Sequence, residues 1–380
     1  MTTALFSRRD FSRTIGQTLA LALAAPHLFR AGQARKRAPA LAGSIRLNGN
    51  ENPYGPSPKA LEALAGCGGI ASRYPGDTYT KMVDAIAQMH GVTAENIILG
   101  CGSSEILRVA DMAFLGPGQN VVAAEPTFEA VLDYARVTRA ERVKIPLTPD
   151  HRHDLPRMAA ACTSKTGLVY VCNPNNPTGT IVTRDEMIDF IPRVPPSTLI
   201  LVDEAYHHFA DDTHYASALE WTSKYPNVVV ARTFSKIYGM AGMRLGYAAG
   251  AKEAIARMGS YLTEDNANAA VLAAALAGLR DQDHVASCRK QLNGSRRWLA
   301  EQLTKAGWQV VPSQANFVMI NMNRDVKPVI EQFHERKILV GRKFPSMGNF
   351  LRVTIGTQEE MVAFLAAFQE IAKADAPRAA

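Results

Sequence analysis

Short runs of apolar residues alternate with helix-length segments through the middle of the chain. Each run is continuously apolar, a pattern that indicates parallel strands covered on both faces. The runs occupy residues 96–99, 120–123, 167–171, 198–202 and 227–231. Further on come two helical stretches and then shorter strands, at residues 267–280, 283–306, 308–312, 316–321 and 350–356. The pattern therefore predicts a large α/β domain followed by a smaller α+β domain.

The N-terminal forty residues carry most of the positive charge. The sequence holds 42 Lys and Arg against 35 Asp and Glu, a net charge of +7. Residues 1–40 contribute +6 of it, from seven basic residues and one aspartate, so the remaining chain is close to +1. A basic protein often binds nucleic acid or anionic membranes. Because the charge is confined to one terminus, we expect no nucleic-acid partner.

This terminus has the order of an export signal. A basic stretch at residues 7–13 precedes a mostly apolar run at 14–29, and small residues follow; this is the order of regions in a secretory signal. The adjacent Arg8 and Arg9 resemble the pair of a twin-arginine signal. The alternatives are a chance Arg-Arg pair in a basic tail or an uncleaved amphipathic helix. The apolar run is too short for a permanent membrane span, and we expect residues 1–40 to direct export to the periplasm by the twin-arginine pathway.

Polar loops follow the predicted strands, at the edge where an open α/β sheet binds its ligands. After the first run, Gly102, Ser103 and Ser104 open a helix, which is typical of a phosphate site and also of an ordinary strand-to-helix turn. After the third run, the segment 173–179 (NPNNPTG) is rich in proline and asparagine. Its prolines fix an extended, kinked loop, which either presents amide groups such as that of Asn176 or is a simple turn.

The fourth run ends at Asp203, and Tyr206 lies three residues further on. A carboxylate at the inner end of a buried strand needs a cationic partner, because burying an unpaired charge is costly. The alternative is a carboxylate that caps the next segment.

Lys236 follows the fifth run, next to the hydroxyls of Thr233 and Ser235 and ahead of Arg244. A lysine beside hydroxyls and a fixed arginine suits an amine nucleophile next to an anion site. The ordinary alternative is a surface lysine, and the surrounding string of residues argues against it.

Seven short segments together resemble one protein family. They occur in the order and spacing of the class I/II, fold-type I, pyridoxal-phosphate (PLP) aminotransferases, with the closest likeness to the histidinol-phosphate aminotransferase group. The segments are NENPY (50–54), RYP (73–75), GSSE (102–105), NPNNPTG (173–179), DEAYHHF (203–209), TFSKIYGMAGMRLGY (233–247) and LRVTIGT (351–357). The resemblance covers residues 46–370.

This resemblance implies an α/β fold with a mostly parallel seven-stranded sheet in the large domain and a smaller α+β domain. With the export signal at 1–40, the expected division is an N-terminal arm that belongs to the small domain at 41–70, a large PLP-binding domain at 71–270 and a C-terminal small domain at 271–380.

The resemblance also implies the residues that act on the cofactor ring. Lys236 forms the Schiff base with PLP and later moves the substrate proton, and Asp203 pairs with the pyridinium nitrogen. Tyr206 and Asn176 hydrogen-bond the ring oxygen O3′, and Phe128 stacks on the ring. The implied catalytic residues are Lys236, Asp203 and Tyr206.

Further residues are implied for the phosphate, the substrate and the subunit interface. The phosphate is held by Gly102, Ser103, Ser104, Thr233, Ser235 and Arg244. Tyr74 reaches the cofactor from a neighbouring subunit, so the active unit is a homodimer. Arg352 binds the substrate α-carboxylate through its planar fork, and Tyr54 and Asn52 line the substrate pocket.

The leading prediction is an aminotransferase that moves an amino group between an amino acid and a 2-oxo acid through pyridoxamine phosphate. The same fold hosts decarboxylases, lyases and oxidases, and a non-catalytic cofactor-binding protein is a further alternative. Histidinol phosphate is an alternative substrate, but the loop at 342–345 is shorter than in those relatives, and histidine biosynthesis is cytoplasmic. Five cysteines without a CxxC pair predict neither a disulfide framework nor a metal site.

Overall fold

The computed structural model of the chain describes residues 43–374. The predicted export signal lies outside the described residues. The strands are β1 (Ile45–Leu47), β2 (Ile97–Gly100), β3 (Asn120–Glu125), β4 (Glu141–Pro146), β5 (Thr166–Cys172), β6 (Leu199–Asp203), β7 (Val228–Thr233), β8 (Gly246–Gly250), β9 (Val310–Val311), β10 (Phe317–Asn321), β11 (Ile338–Val340) and β12 (Phe350–Thr354).

Helices connect these strands. They are α1 (Pro58–Ala65), α2 (Gly76–His90), α3 (Ser103–Phe114), α4 (Ala130–Tyr134), α5 (Leu155–Ala160), α6 (Arg184–Phe190), α7 (Lys252–Gly259), α8 (Ala269–Arg280), α9 (Gln282–Lys305), α10 (Val326–Glu335) and α11 (Gln358–Ala374). Within residues 43–374, no helix combines the length and the apolar character needed to cross a membrane.

Seven strands form the central sheet, in the order β2-β8-β7-β6-β5-β3-β4. Six of them run parallel, and β8 is antiparallel to both of its neighbours. This arrangement confirms the predicted fold class. Strands β2, β3, β5, β6 and β7 coincide with the apolar runs of the sequence, whereas β4 and β8 were not predicted.

Helices on both sides bury the central strands, as their continuous hydrophobicity predicts. On β5, Tyr170 and Cys172 face the side covered by α3 and α7. Val169 and Val171 face the opposite side, against α5 and α6. Because side chains alternate along a strand, the same pleat decides which residues reach the ligand edge on each face.

The C-terminal part forms its own small sheet. Strands β12, β10 and β9 lie in that order and are antiparallel. In a separate pair, β1 runs parallel to β11, and this pairing ties the N-terminal arm to the C-terminal part. The predicted helices at 267–280 and 283–306 correspond to α8 and α9.

Candidate active site

Lys236 lies in the loop after β7, at the ligand edge of the sheet. Its Nζ donates to the Gly49 carbonyl at 3.3 Å and lies 5.6 Å from the centroid of the Tyr206 ring. Burial, together with the nearby positive charges of Arg352 and Arg244, lowers the pKa of the lysine to about 8. A substantial fraction of the amine is therefore neutral and nucleophilic near neutral pH.

Asp203 ends β6 and is almost fully buried, with 2% of its surface exposed. The Tyr170 hydroxyl donates to its Oδ2 at 2.9 Å, and the Ala205 N–H donates to its Oδ1 at 3.1 Å. Burial raises the pKa of the carboxyl to about 6, although both hydrogen bonds oppose the rise. A cation placed against this carboxylate would offset part of its desolvation cost.

The side-chain amides of two asparagines face the Tyr206 hydroxyl. Asn50 Nδ2 donates to it at 3.1 Å, and Asn176 Nδ2 lies at 3.5 Å. Because a phenol oxygen carries one hydrogen, two donors on that oxygen leave the hydroxyl hydrogen to point elsewhere. Burial raises the pKa of Tyr206 far above its usual range, so the hydroxyl remains a donor at neutral pH.

An anion-binding cup lies between the start of α3 and Arg244. Gly102, immediately before the helix, has φ +78°, and a Cβ added there would overlap Arg244 Nη2. Arg244 Nη1 donates to Ser235 Oγ at 3.3 Å, and Thr233 Oγ1 lies 2.9 Å from the same oxygen. No side chain caps the start of α3, so the first N–H groups, including that of Ser103, complete a cup of donors for an anion.

Arg352 on β12 brings a buried cation to the same edge. Its Nη1 donates to Asn176 Oδ1 at 2.8 Å, and its Nη2 donates to the Asn48 carbonyl at 3.0 Å. Both acceptors are neutral, and the buried Nε has no hydrogen-bond partner. Burial lowers the pKa of this guanidinium to about 10. The charge is thus incompletely compensated, and a carboxylate is the ligand whose geometry matches it.

The remaining predicted residues lie at different distances from this centre. Phe128 and Ser104 are partly buried near the edge of the sheet. Asn52 uses its amide on the backbone, since its Nδ2 donates to the Ile237 carbonyl at 2.8 Å and its Oδ1 accepts from the Tyr54 N–H at 3.0 Å. Asn52 therefore fixes the arm against the lysine loop. Tyr74 lies on the surface, with 85% of its area exposed.

Tyr54 is partly buried and packs against the core cluster that includes residues of α9 and α11. Burial, with a contribution from Glu359, raises its pKa.

Asn50 and Thr354 have no predicted role, although they lie in the NENPY and LRVTIGT segments. Thr354 Oγ1 accepts from the Asn50 N–H at 2.9 Å and lies 3.1 Å from Asn50 Oδ1. Asn50 has φ +50°, a left-handed conformation that asparagine tolerates. A buried asparagine in a polar NGNEN stretch was the available signal, but its partners are far away in the chain.

Comparison with known proteins agrees with this geometry. The family model for aminotransferase class I and II matches residues 42–368. A histidinol-phosphate aminotransferase from Moorella thermoacetica is 39% identical over 330 residues, which are 86% of this chain and 85% of that protein. The chain belongs to the class I and II aminotransferases.

The relatives of this aminotransferase are named for more than one substrate. An aromatic amino acid aminotransferase from Streptomyces coelicolor is 35% identical over 330 residues, covering 87% of this chain and 91% of that protein. The crystal structure of histidinol-phosphate aminotransferase from Sinorhizobium meliloti in complex with pyridoxal-5′-phosphate has a TM-score of 0.83 at 26% identity, covering 88% of this chain and 92% of that one. The enzyme is a PLP-dependent aminotransferase.

The residues of this aminotransferase fit PLP. The cup at Gly102 leaves no room for a side chain and is lined by N–H groups, hydroxyls and a guanidinium, which suits a phosphate. Asp203 offers a buried carboxylate for a protonated ring nitrogen, and Lys236 offers a partly neutral amine for the cofactor's carbonyl carbon.

Proposed function

We propose that this aminotransferase moves the amino group of an α-amino acid to a 2-oxo acid, with Lys236, Asp203 and Tyr206 as the catalytic residues. One observation carries the proposal: a lysine with a lowered pKa, a buried carboxylate and a buried arginine with only neutral acceptors meet at the ligand edge of the central sheet. The lysine suits a carbonyl, the carboxylate a protonated ring and the arginine an α-carboxylate.

Each catalytic residue has one task. When bound, PLP withdraws electrons from the substrate's α-carbon. The Asp203 carboxylate would keep the ring nitrogen protonated. Lys236 Nζ would hold the cofactor and would accept the proton of the α-carbon, which its pKa of about 8 allows near neutral pH. The Tyr206 hydroxyl, whose oxygen faces two amides, would donate its hydrogen to the ring oxygen, and Phe128 would cover the ring face.

The cup described above is assigned to the cofactor phosphate. Its donors are the N–H groups at the start of α3, two hydroxyls and one guanidinium. They belong to Gly102, Ser103, Ser104, Thr233, Ser235 and Arg244.

Arg352 is proposed to select substrates that carry an α-carboxylate. A second guanidinium nearby is already occupied, because Arg342 Nη2 pairs with Glu129 Oε2 at 2.6 Å and its guanidinium lies 4.3 Å from the centroid of Phe344. A substrate phosphate at that position would compete with the Glu129 carboxylate. This pairing favours an amino acid over histidinol phosphate, whereas the names of several relatives favour histidinol phosphate.

Two further features belong to the proposal. The active unit is a homodimer in which Tyr74 reaches the partner's cofactor, and the exposure of this tyrosine is compatible with that role. The protein is exported to the periplasm by residues 1–40. Replacing both Arg8 and Arg9 by lysine should leave the full-length protein in the cytoplasmic fraction, and unchanged export would refute the twin-arginine route.

The catalytic proposal is tested by Lys236→Ala. Its transamination rate should fall by about 10³-fold or more, since general acid–base catalysis and covalent attachment are both lost. Lys252→Ala is the matched control, because its exposed Nζ pairs with the surface residue Glu95 at 2.8 Å, and it should retain wild-type activity. A Lys236→Ala protein with the wild-type rate would refute the mechanism.

A donor panel tests the substrate. Aromatic and acidic amino acids and histidinol phosphate are each offered with a fixed 2-oxo acid acceptor, and the new amino acid is quantified. We expect turnover of α-amino acids. Faster turnover of histidinol phosphate than of every amino acid would establish the alternative, and release of carbon dioxide or peroxide without amino transfer would establish other PLP chemistry.

A further inference from the structure

Tyr170 is a fully buried phenol that the catalytic scheme leaves without a task. It lies in the middle of β5 with none of its surface exposed. In the register of the sheet, Tyr170 pairs with Leu201, and Cys172 pairs with Asp203. Tyr170 is therefore the diagonal neighbour of Asp203 on the same face, within reach of a long side chain.

The Tyr170 hydroxyl donates to Asp203 Oδ2 at 2.9 Å, and the Ala205 N–H donates to the other oxygen at 3.1 Å. Each carboxylate oxygen thus has one donor from the protein, and both donors restrict the rotation of the carboxylate. A carboxylate that is buried this deeply needs such a hydrogen-bond donor to remain ionised.

The other titratable groups around Asp203 do not replace this donor. Lys236, from the loop after β7, attracts the charged form, and the neighbouring Glu204 opposes it. Cys172 on β5 is a buried thiol whose pKa is raised far above its usual range, and the Tyr206 phenol is likewise neutral. Neither of them carries a charge at the pH at which the enzyme works.

We propose that Tyr170 is a positioning residue that acts through Asp203: its hydroxyl keeps the carboxylate ionised and turned toward the cofactor's ring nitrogen. The inference rests on the proposed pairing of Asp203 with that nitrogen. Tyr170 touches neither substrate nor cofactor in this scheme, and its effect is transmitted by one hydrogen bond.

Tyr170→Phe removes the hydroxyl and keeps the ring that fills the core. Losing a hydrogen bond to a charged group should raise the pKa of Asp203 by about one unit. Since that pKa is about 6 in the wild type, the variant should bind PLP about fivefold more weakly at pH 6 and nearly normally at pH 8. The result is expressed as the ratio of the PLP dissociation constants of the variant and the wild type. The cofactor's own titrations affect both constants equally and therefore cancel in this ratio.

The measurement is PLP binding to the full-length protein by cofactor absorbance between pH 6 and pH 8, with the transamination rate recorded alongside. Tyr215→Phe is the control, because Tyr215 is a neighbouring phenol whose hydroxyl lies 3.5 Å from the Asn173 carbonyl and not on Asp203. The ratio of the PLP dissociation constant of Tyr215→Phe to that of the wild type should not change between pH 6 and pH 8. A flat ratio for Tyr170→Phe as well would overturn the inference, since a merely structural defect weakens binding equally at every pH.

Asp203→Asn separates this inference from the proposed function. If Tyr170 acts through Asp203, adding Tyr170→Phe to Asp203→Asn should change PLP affinity little further. A full additional loss in the double variant would refute the role of Tyr170 alone. Wild-type affinity in Asp203→Asn itself would instead refute the pairing of Asp203 with the ring, and the inference with it.

Discussion

The buried carboxylate of Asp203 should make the cofactor-free protein less stable as the pH rises. Its pKa is raised from 3.8 to about 6 in the folded chain, so the native state binds the proton more tightly than the unfolded state. The contribution of this group to stability is therefore complete below pH 3.8 and is lost as the pH rises through 6. The cofactor's protonated ring would offset this cost.

The size of this stability change follows from the pKa shift of Asp203. A difference of about two pKa units corresponds to about 3 kcal/mol in total. Between pH 5 and pH 8, about 1 kcal/mol of this total is lost from the wild type, because the native carboxyl is mostly protonated at pH 5 and the unfolded one is not. Asp203→Asn removes this titration. Relative to the wild type, its stability should therefore be about 1 kcal/mol higher at pH 8 than at pH 5.

The assay is urea unfolding of both cofactor-free proteins at pH 5, 6, 7 and 8, and the quantity of interest is the difference between the two free energies of unfolding. A constant offset, such as the loss of one of the two acceptor oxygens of Asp203, does not change with pH and therefore cancels in this comparison. Titrating groups that are common to both proteins also cancel.

Asp111→Asn is the matched control for this assay. Asp111 is fully buried in α3, accepts from Thr138 Oγ1 at 2.9 Å, and has its pKa raised to about 6 by burial. It should show the same dependence of stability on pH but bind PLP normally, whereas Asp203→Asn should lose PLP affinity. Parallel curves for Asp203→Asn and the wild type between pH 5 and pH 8 would refute the raised pKa.

Three other substitutions test the rest of the site. Arg352→Gln should cost about 2–5 kcal/mol of carboxylate binding, so steady-state kinetics should show KM for amino acids raised at least about 30-fold with PLP affinity retained; an unchanged KM would contradict its role. Gly102→Ala should weaken PLP binding about tenfold or more, because the Cβ would collide with the Arg244 guanidinium that lines the cup. Gly118→Ala, at φ +84° with nothing within 4 Å, is the control for backbone strain, and equal PLP affinities of the two variants would contradict a phosphate site at Gly102. Asn50→Ala removes the amide at 3.1 Å from the Tyr206 hydroxyl and should shift the pH titration of the cofactor's absorbance in the holoenzyme, while an identical titration curve would refute the coupling.

Sequence reasoning was most successful where an apolar run ends in a polar loop. Strands β2, β5, β6 and β7 are buried on both faces, so their continuously apolar composition predicts them. It missed β4, an edge strand whose residues are mostly exposed and which therefore lacks a continuous apolar run. It also missed β8, whose GYAAG sequence is made of small residues; Gly250 is needed because a Cβ would meet the Val229 side chain on β7.

Some residues of the candidate site can likewise be predicted from the sequence, and others cannot. Lys236, Asp203 and Arg352 stand out because charged residues follow or interrupt apolar strands. Tyr170 does not stand out, since a tyrosine inside a buried strand is indistinguishable from core until the register of β5 and β6 places its hydroxyl on a carboxylate. Asn50 is hidden for a different reason: its partner Tyr206 is 156 positions away, and no local pattern encodes that contact.

These long-range contacts form one connected chain of hydrogen bonds from the Arg352 guanidinium to the Tyr206 phenol. Arg352 donates to Asn176, whose amide nitrogen faces the Tyr206 hydroxyl, and Asn50 closes the path from that hydroxyl to Thr354, two residues beyond Arg352 on β12. A carboxylate bound to Arg352 through Nη1 would compete with Asn176 Oδ1 for that nitrogen. Because the Asn176 amide also faces Tyr206, such binding would alter the hydrogen bonding of the phenol. In the proposed mechanism, substrate binding and the electronics of the ring oxygen would therefore be linked through one amide.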